Sequence, residues 1–382
     1  MRKLVTSLAA VLALSILPEV GAAQDKVLRI PFASNFSGNF APFGLRLWRG
    51  ATLAAEKINE AGGVRGHKLE LYQVDARSET ASLIAEYRRI CADDAIPVFV
   101  APVASKQLFA IYEIAKTCNL ATFAPTSGAN WVYPDQGKWI YRYLPVPQLV
   151  LPVQYRKLNE KLGATTVGLS HTIDDDFTVY NAKLGRKYIA DAGMEIVADV
   201  GSRQKETNFA SQVAAIRSKR PDLVVLSHQS DDGGKFALQL RERGIEAQIS
   251  DTGYTVVGRD FWELSKGKGI GAIGSSIYTS SDQRPIVQEW IDFWRQRTGK
   301  GDQDPDAYET SVYDAVNVLA TVLENAASLG RKDVADAFLT VKDMDTISGT
   351  VSFRAEDLPD AYRSEPILVR LGENGRLERW GQ

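Results

Sequence analysis

The sequence predicts an α/β protein built as two doubly wound parallel-sheet lobes. Two observations carry this. Short segments that are apolar on both faces, such as residues 96–101 and 223–227, alternate with helix-length segments, the pattern of a parallel sheet covered by helices on each side. The alternation also runs in two successive series, interrupted near residues 141–148, where Pro145 and Pro147 stand.

The first series opens with an apolar strand over residues 27–32 and a loop rich in Ser, Asn and Gly over 34–39. A helix over about 44–61 places Leu47, Ala51, Ala54, Ala55 and Ile58 on one stripe. Gly62 and Gly63 end it, because glycine accepts the left-handed turn at a helix end. Residues 67–75 alternate as a strand. A helix near 79–93, a strand over 96–101, a helix over about 107–117 and a strand over 121–125 complete the series.

The second series has helices over about 152–162, 177–192, 209–218 and 233–243, with strands at 166–170, 195–200, 223–227, 248–250 and 270–278. Helices over 286–298 and 307–327 are expected to rejoin the first lobe. A strand over 349–353 and a tail over 366–380 are then expected to cross back to the second lobe.

At the front, Met1, Arg2 and Lys3 precede an apolar run from Leu4 to about Pro18 and then Gly21, Ala22 and Ala23. A basic start, a short apolar core and a small-x-small end read as a signal peptide over 1–23, cleaved after Ala23. The run is shorter than the ~20 residues that span a bilayer. With no cysteine near the cleavage point, a soluble exported protein is expected.

The formal net charge is −2, and with no basic stripe nucleic acid is not an expected partner. Cys91 and Cys118 lie 27 residues apart; in an oxidising compartment they could be bridged, or equally stand as two buried thiols. The three histidines, His67, His171 and His228, accompany no G-x-S-x-G or H-E-x-x-H motif, so no enzyme is read here. Gly269, Gly271 and Gly274 satisfy G-x-G-x-x-G, but they run into a strand instead of opening a helix, so no dinucleotide is implied. Asp174, Asp175 and Asp176 lack the spacing of a calcium loop and read as a solvated turn with a helix cap. No cofactor and no metal are expected.

In doubly wound sheets ligands sit beyond the carboxyl ends of the strands, where helix N-termini offer free N–H groups. Ser105, expected to cap a helix, and Ser127 with Gly128, in the loop after the next strand, are candidates to hold a carboxylate. His228 and Gln229 end one strand of the second series and so face the cleft; Asp251 and Tyr254 end the next.

The run from Ser34 to Leu69, with Asn59, Gly62, Gly63, Val64 and Gly66, resembles the opening of the leucine/isoleucine/valine-binding proteins, which are type I periplasmic binding proteins of ABC transporters. The likeness continues through residues 100–105 and 123–127, Asn208 and Phe209, and Tyr308, Tyr313, Asp314 and Ala315. It implies two lobes joined by three crossing segments, closing by hinge motion on a small ligand. The lobes would be residues 25–145 plus 275–345 and residues 146–274 plus 346–382.

The resemblance implies a periplasmic substrate-binding component of an ABC importer that takes a small carboxylate-bearing solute, a branched-chain or other amino acid. Its partner would be an inner-membrane permease, and a monomer is expected because the lobes must move. Phe43 matches an aromatic lid, and Phe177 stands where the family often has tyrosine. Family members hold the ligand ammonium with an acid near residues 250–254. No glutamate is found there, and Asp251 is the expected substitute. If Asp251 does not reach, an aromatic or aliphatic acid or amide becomes the alternative; a soluble sensor delivering its ligand to a receptor is another.

Overall fold

The computed structural model describes residues 26–128, 139–363 and 366–381. The expected signal peptide lies outside them.

The first series forms β1 (Val27–Ser34), α1 (Ala41–Glu60), β2 (Lys68–Asp75), α2 (Thr80–Cys91), β3 (Phe99–Val100), α3 (Ser105–Thr117), β4 (Thr122–Ala124) and β5 (Ile140–Arg142). These five strands make one parallel sheet in the order β2-β1-β3-β4-β5. Two glycines of α1 and its exit are sterically required. A side chain at Gly44 would lie 2.1 Å from the Asn35 carbonyl oxygen, so only glycine lets α1 press against the first loop. Gly63, at φ 79°, would place one 2.0 Å from the His67 carbonyl oxygen.

The second series forms α4 (Pro147–Leu162), β6 (Thr166–Thr172), α5 (Asp176–Asp191), β7 (Glu195–Ser202), α6 (Ala210–Lys219), β8 (Leu223–Ser227), α7 (Ser230–Glu242), β9 (Gln248–Asp251), α8 (Arg259–Ser265) and β10 (Ile273–Ser276). Helix α4 begins five residues before the expected 152: Pro147 sits in its first turn, where the missing N–H costs nothing, and Pro152 is carried inside. The seven-residue α8 is too short to show a period. Gly269 and Gly271 precede β10, and Gly274 lies within it, so no helix follows the G-x-G-x-x-G motif.

The chain then forms α9 (Pro285–Thr298), α10 (Ala307–Asn325), α11 (Arg331–Ala337), β11 (Met344–Thr346), β12 (Gly349–Phe353), β13 (Ala361–Tyr362), β14 (Ile367–Leu371) and β15 (Leu377–Arg379). Helix α10 lies along α1, and Tyr141 Oη donates to the Ala335 carbonyl at 2.7 Å. Phe353 meets the rings of Phe123, Tyr141 and Phe338. Strands β14 and β15 instead extend the second sheet antiparallel, in the order β15-β14-β10-β9-β8-β6-β7.

The chain thus passes between the two sheets three times: after β5, after β10 and after β13. Buried polar contacts tie these passages together. Tyr143 Oη donates to Asp314 Oδ2 at 2.6 Å and lies 2.8 Å from Ser348 Oγ. Tyr254 Oη donates to the Pro145 carbonyl at 2.9 Å. Buried Arg142 makes two bonds to Asp360, at 2.7 and 2.9 Å. Cys91 and Cys118 are joined in a disulfide across a Cα separation of 5.8 Å.

Candidate ligand-binding site

The carboxyl ends of both parallel sheets face one cleft of about 730 Å³, within the ~300–1,000 Å³ usual for small-molecule sites. Helix starts surround it. Phe40, Pro42 and Phe43 come from α1, Glu79 to Ala81 from α2, residues 104–107 from α3, Asp174 to Phe177 from α5, and Gln229 to Asp231 from α7.

At α3 the first turn holds no acidic residue, Lys106 lies in it, and Ala104 takes the cap position. Ser105 is therefore the first helical residue and not the cap expected of it. Its Oγ lies 3.0 Å from Ser127 Oγ. Ser105 and Thr126 line the cleft, while Ser127, 2% exposed, supports Ser105 from behind. Gln107 Oε1 accepts from the Ala104 N–H at 3.2 Å, and Gln107 Nε2 donates to Asn35 Oδ1 at 3.3 Å. Asn35 Oδ1 also accepts from the Ser78 N–H at 3.0 Å, so the first loop, α2 and α3 share one polar frame.

The opposite wall is acidic. Asp175 caps α5 by accepting from the Thr178 N–H at 2.9 Å, and Gln229 Nε2 reaches the same oxygen at 3.4 Å. Lys205 pairs with Asp231 at 2.6 Å and places its Nζ 5.2 Å from the Phe40 ring centre. Arg46 makes a two-point bond to Asp260 on α8, at 2.8 and 2.6 Å. Among the described residues, the lining carboxylates are Glu79, Asp174, Asp175, Asp176, Asp231 and Asp260, against Lys106 and Lys205. The cleft therefore carries an excess of negative charge, with its positive spot at the start of α3.

The candidates separate into those that reach the cleft and those that do not. Phe43, Ser105, Phe177 and Gln229 line it. Gly128 is not in the lining, but a side-chain carbon added there would lie 3.3 Å from Phe177 Cε2.

Asp251 departs from expectation. Instead of facing the cleft it is fully buried at the end of β9, and its carboxylate accepts from the Gly253 and Val256 N–H groups at 3.1 and 2.9 Å and from Gln154 Nε2 at 3.4 Å. Burial pushes its carboxyl up to about 6. It organises the turn after β9 and offers nothing to a ligand ammonium. Tyr254, at φ 67° and 1% exposed, likewise turns away, to Pro145.

His228 also lies beneath the cleft, 2.9 Å from Ser170 Oγ and 3.0 Å from Thr172 Oγ1; burial lowers its pKa to about 3, so the ring is neutral. Trp48 packs on Phe32 and Phe36.

Tyr308 is one of several cleft residues, with Phe40, Lys106, Lys205 and Asp231, that the sequence did not single out as site residues. It arrives on α10, with its ring edge-on to Phe43 at 5.1 Å and its hydroxyl donating to the Tyr254 carbonyl at 3.3 Å. Its place in the Tyr308 to Ala315 pattern was the available signal.

Two doubly wound sheets sharing one polar cleft at their carboxyl ends define a two-lobed binding protein. The chain belongs to the periplasmic binding protein family, whose model matches residues 27–359. It is 22% identical over 330 residues to a leucine-, isoleucine-, valine-, threonine- and alanine-binding protein of Pseudomonas aeruginosa, covering 85% of each chain. A branched-chain amino acid transporter substrate-binding protein from Streptococcus pneumoniae, solved with isoleucine, superposes with a TM-score of 0.82 at 22% identity, covering 94% of this chain and 100% of that one. A leucine-binding protein from Thermotoga maritima gives 0.81 at 21% identity, covering 93% and 98%.

Proposed function

We propose that this protein captures a free amino acid in the periplasm and delivers it to an ABC permease of the inner membrane. The observation that carries this is the charge layout of the cleft. The α3 start, with Ser105, Thr126 and Lys106, suits a carboxylate, and the acidic wall at Asp174, Asp175, Asp176 and Asp231 suits an ammonium. A plain anion would meet that wall unpaired. The names of the relatives, which bind leucine, isoleucine and valine, support an amino acid of this class.

Phe43, Phe177, Gln229 and Gly128 would close around the ligand. Asp251 and Tyr254 act from beneath, shaping the floor and the first passage. Of the expected lobes, 25–145 plus 275–345 and 146–274 plus 346–382, we propose to move the last boundary to about 362, because Phe353 packs on Phe123 and Tyr141 of the first lobe. Cleavage after Ala23 releases a soluble monomer.

A second reading, an aromatic or aliphatic acid or amide, draws on Asp251 being turned from the cleft. A thermal-shift screen of the mature protein separates the two. A ligand at a hundred times its Kd adds about 2.7 kcal/mol, a shift of several degrees. Amino acids are expected to give that shift, and acids or amides lacking either charged group are not. A shift equally large with an acid that has no amine would refute the amino-acid reading.

A further inference from the structure

Beyond the two charged ends, four aromatic rings stand in the lining of the cleft. Phe40 and Phe43 at the start of α1, Tyr308 at the start of α10 and Phe177 at the start of α5 line it from both lobes. The larger aliphatic side chains among its described lining are Val103 and Leu264.

The rings are held in place. Phe43 stands edge-on to Tyr308 at 84°, with the Arg46 guanidinium over its ring, 5.7 Å from the centre. Tyr308 is anchored through its hydroxyl to the Tyr254 carbonyl. Phe177 is backed by the position of Gly128, where any side chain would crowd its edge. Phe40 takes Lys205 against its ring. A fixed set of ring edges and faces gains most from another ring, because aromatic pairs favour edge-to-face and offset contacts beyond the area they bury. The cleft, at about 730 Å³, also lies in the range of ligands larger than a branched aliphatic amino acid.

On the amino-acid reading above, we infer that the side chain this cleft selects is aromatic: the preferred ligand is an aromatic L-amino acid, with its ring between Phe43, Tyr308 and Phe177. Each well-placed ring pair is worth about two- to tenfold in affinity.

Isothermal titration of the mature protein with L-phenylalanine, L-leucine and phenylacetate tests this. L-Phenylalanine is expected to bind about tenfold or more tighter than L-leucine. Phe177→Leu is expected to cut that preference to about threefold or less, with the ligand-free melting point retained. Should that variant fail to fold, Phe43→Leu provides the same comparison. L-Leucine binding as tightly as L-phenylalanine would overturn the ring selectivity and leave the amino-acid reading standing. Phenylacetate binding as tightly as L-phenylalanine would support the ring and overturn the need for an ammonium. No binding of any of the three would overturn both.

Discussion

The disulfide gives a stability prediction whose size follows from the chain. Cys91 ends α2, Cys118 follows α3, and the bridge closes a loop of sequence separation 27. In the chain-entropy treatment, tying such a loop removes about 12 cal/mol/K from the unfolded ensemble, roughly 3.6 kcal/mol at 25 °C. The bridge does not stand alone. The Arg331 guanidinium on α11 donates to the Cys91 and Cys118 carbonyls, each at 3.0 Å, and to the Ile96 carbonyl at 3.1 Å. Those bonds hold the helix ends together even without the sulfur link. A Cys91→Ser, Cys118→Ser double variant should therefore fold, but with about 3–4 kcal/mol less stability. For a folding unit of 150–250 residues that lowers Tm by about 7–14 °C. Calorimetry with and without reductant reads it. The reduced wild type should match the variant, and ligand affinity should be unchanged, because neither cysteine lines the cleft. A variant that melts within a degree or two of oxidised wild type would refute the loop-entropy reasoning.

Three further outcomes follow. Ser105→Ala removes a hydroxyl from the carboxylate end and should weaken binding by about two- to tenfold with a nearly unchanged ligand-free Tm; equal affinity by titration would sink the placement of the carboxylate at α3. Tyr143→Phe takes the hydroxyl from Asp314, and losing a buried hydrogen bond to a carboxylate costs about 1.5–3 kcal/mol; an unaltered urea midpoint would show that this passage is not held there. His228 has a folded pKa near 3, below the ~6.5 of an unfolded histidine, so the unfolded chain binds one more proton between these values. Its contribution to stability is present above pH 6.5 and is lost as pH falls, by about 1.4 kcal/mol per unit. Asp251, raised to about 6, acts in the opposite sense between about pH 4 and 6, favouring the folded state as pH drops. Between pH 4 and 6 the two largely cancel, and His228→Gln should make stability more favourable toward pH 4 than in wild type. Parallel slopes in denaturation series for the two proteins would refute the assignment.

The order of strands and helices was legible in the sequence because each is set by short-range physics. Apolar runs bury both faces of a parallel strand, helical stripes recur every three or four residues, and Gly63 stops α1 where a side chain would strike the His67 carbonyl. The α3 start was read as lying at the cleft, and Ser105 does line it, though as the first helical residue and not as the cap, with Ser127 behind it. Helices α8 and α11, each only seven residues long, and the three-residue β5 were not legible, and the start of α4 was misjudged because Pro147 and Pro152 are both compatible with a first turn.

What the tertiary structure decided is where side chains at equivalent strand ends point. Gln229 and Asp251 each stand at the end of a buried strand, yet one lines the cleft and the other is drawn beneath it by the Gly253 and Val256 N–H groups. No local pattern distinguishes them; the turn that follows does. Tyr308 joins Phe43 across 265 positions, and Arg46 meets Asp260 across 214, pairings made by the return of the chain through its later passages. Sequence periodicity determined which residues are buried and which helix starts stand around the cleft. Only the closure of distant segments onto one another determined which acids and rings face it, because that choice is a property of packing and not of spacing.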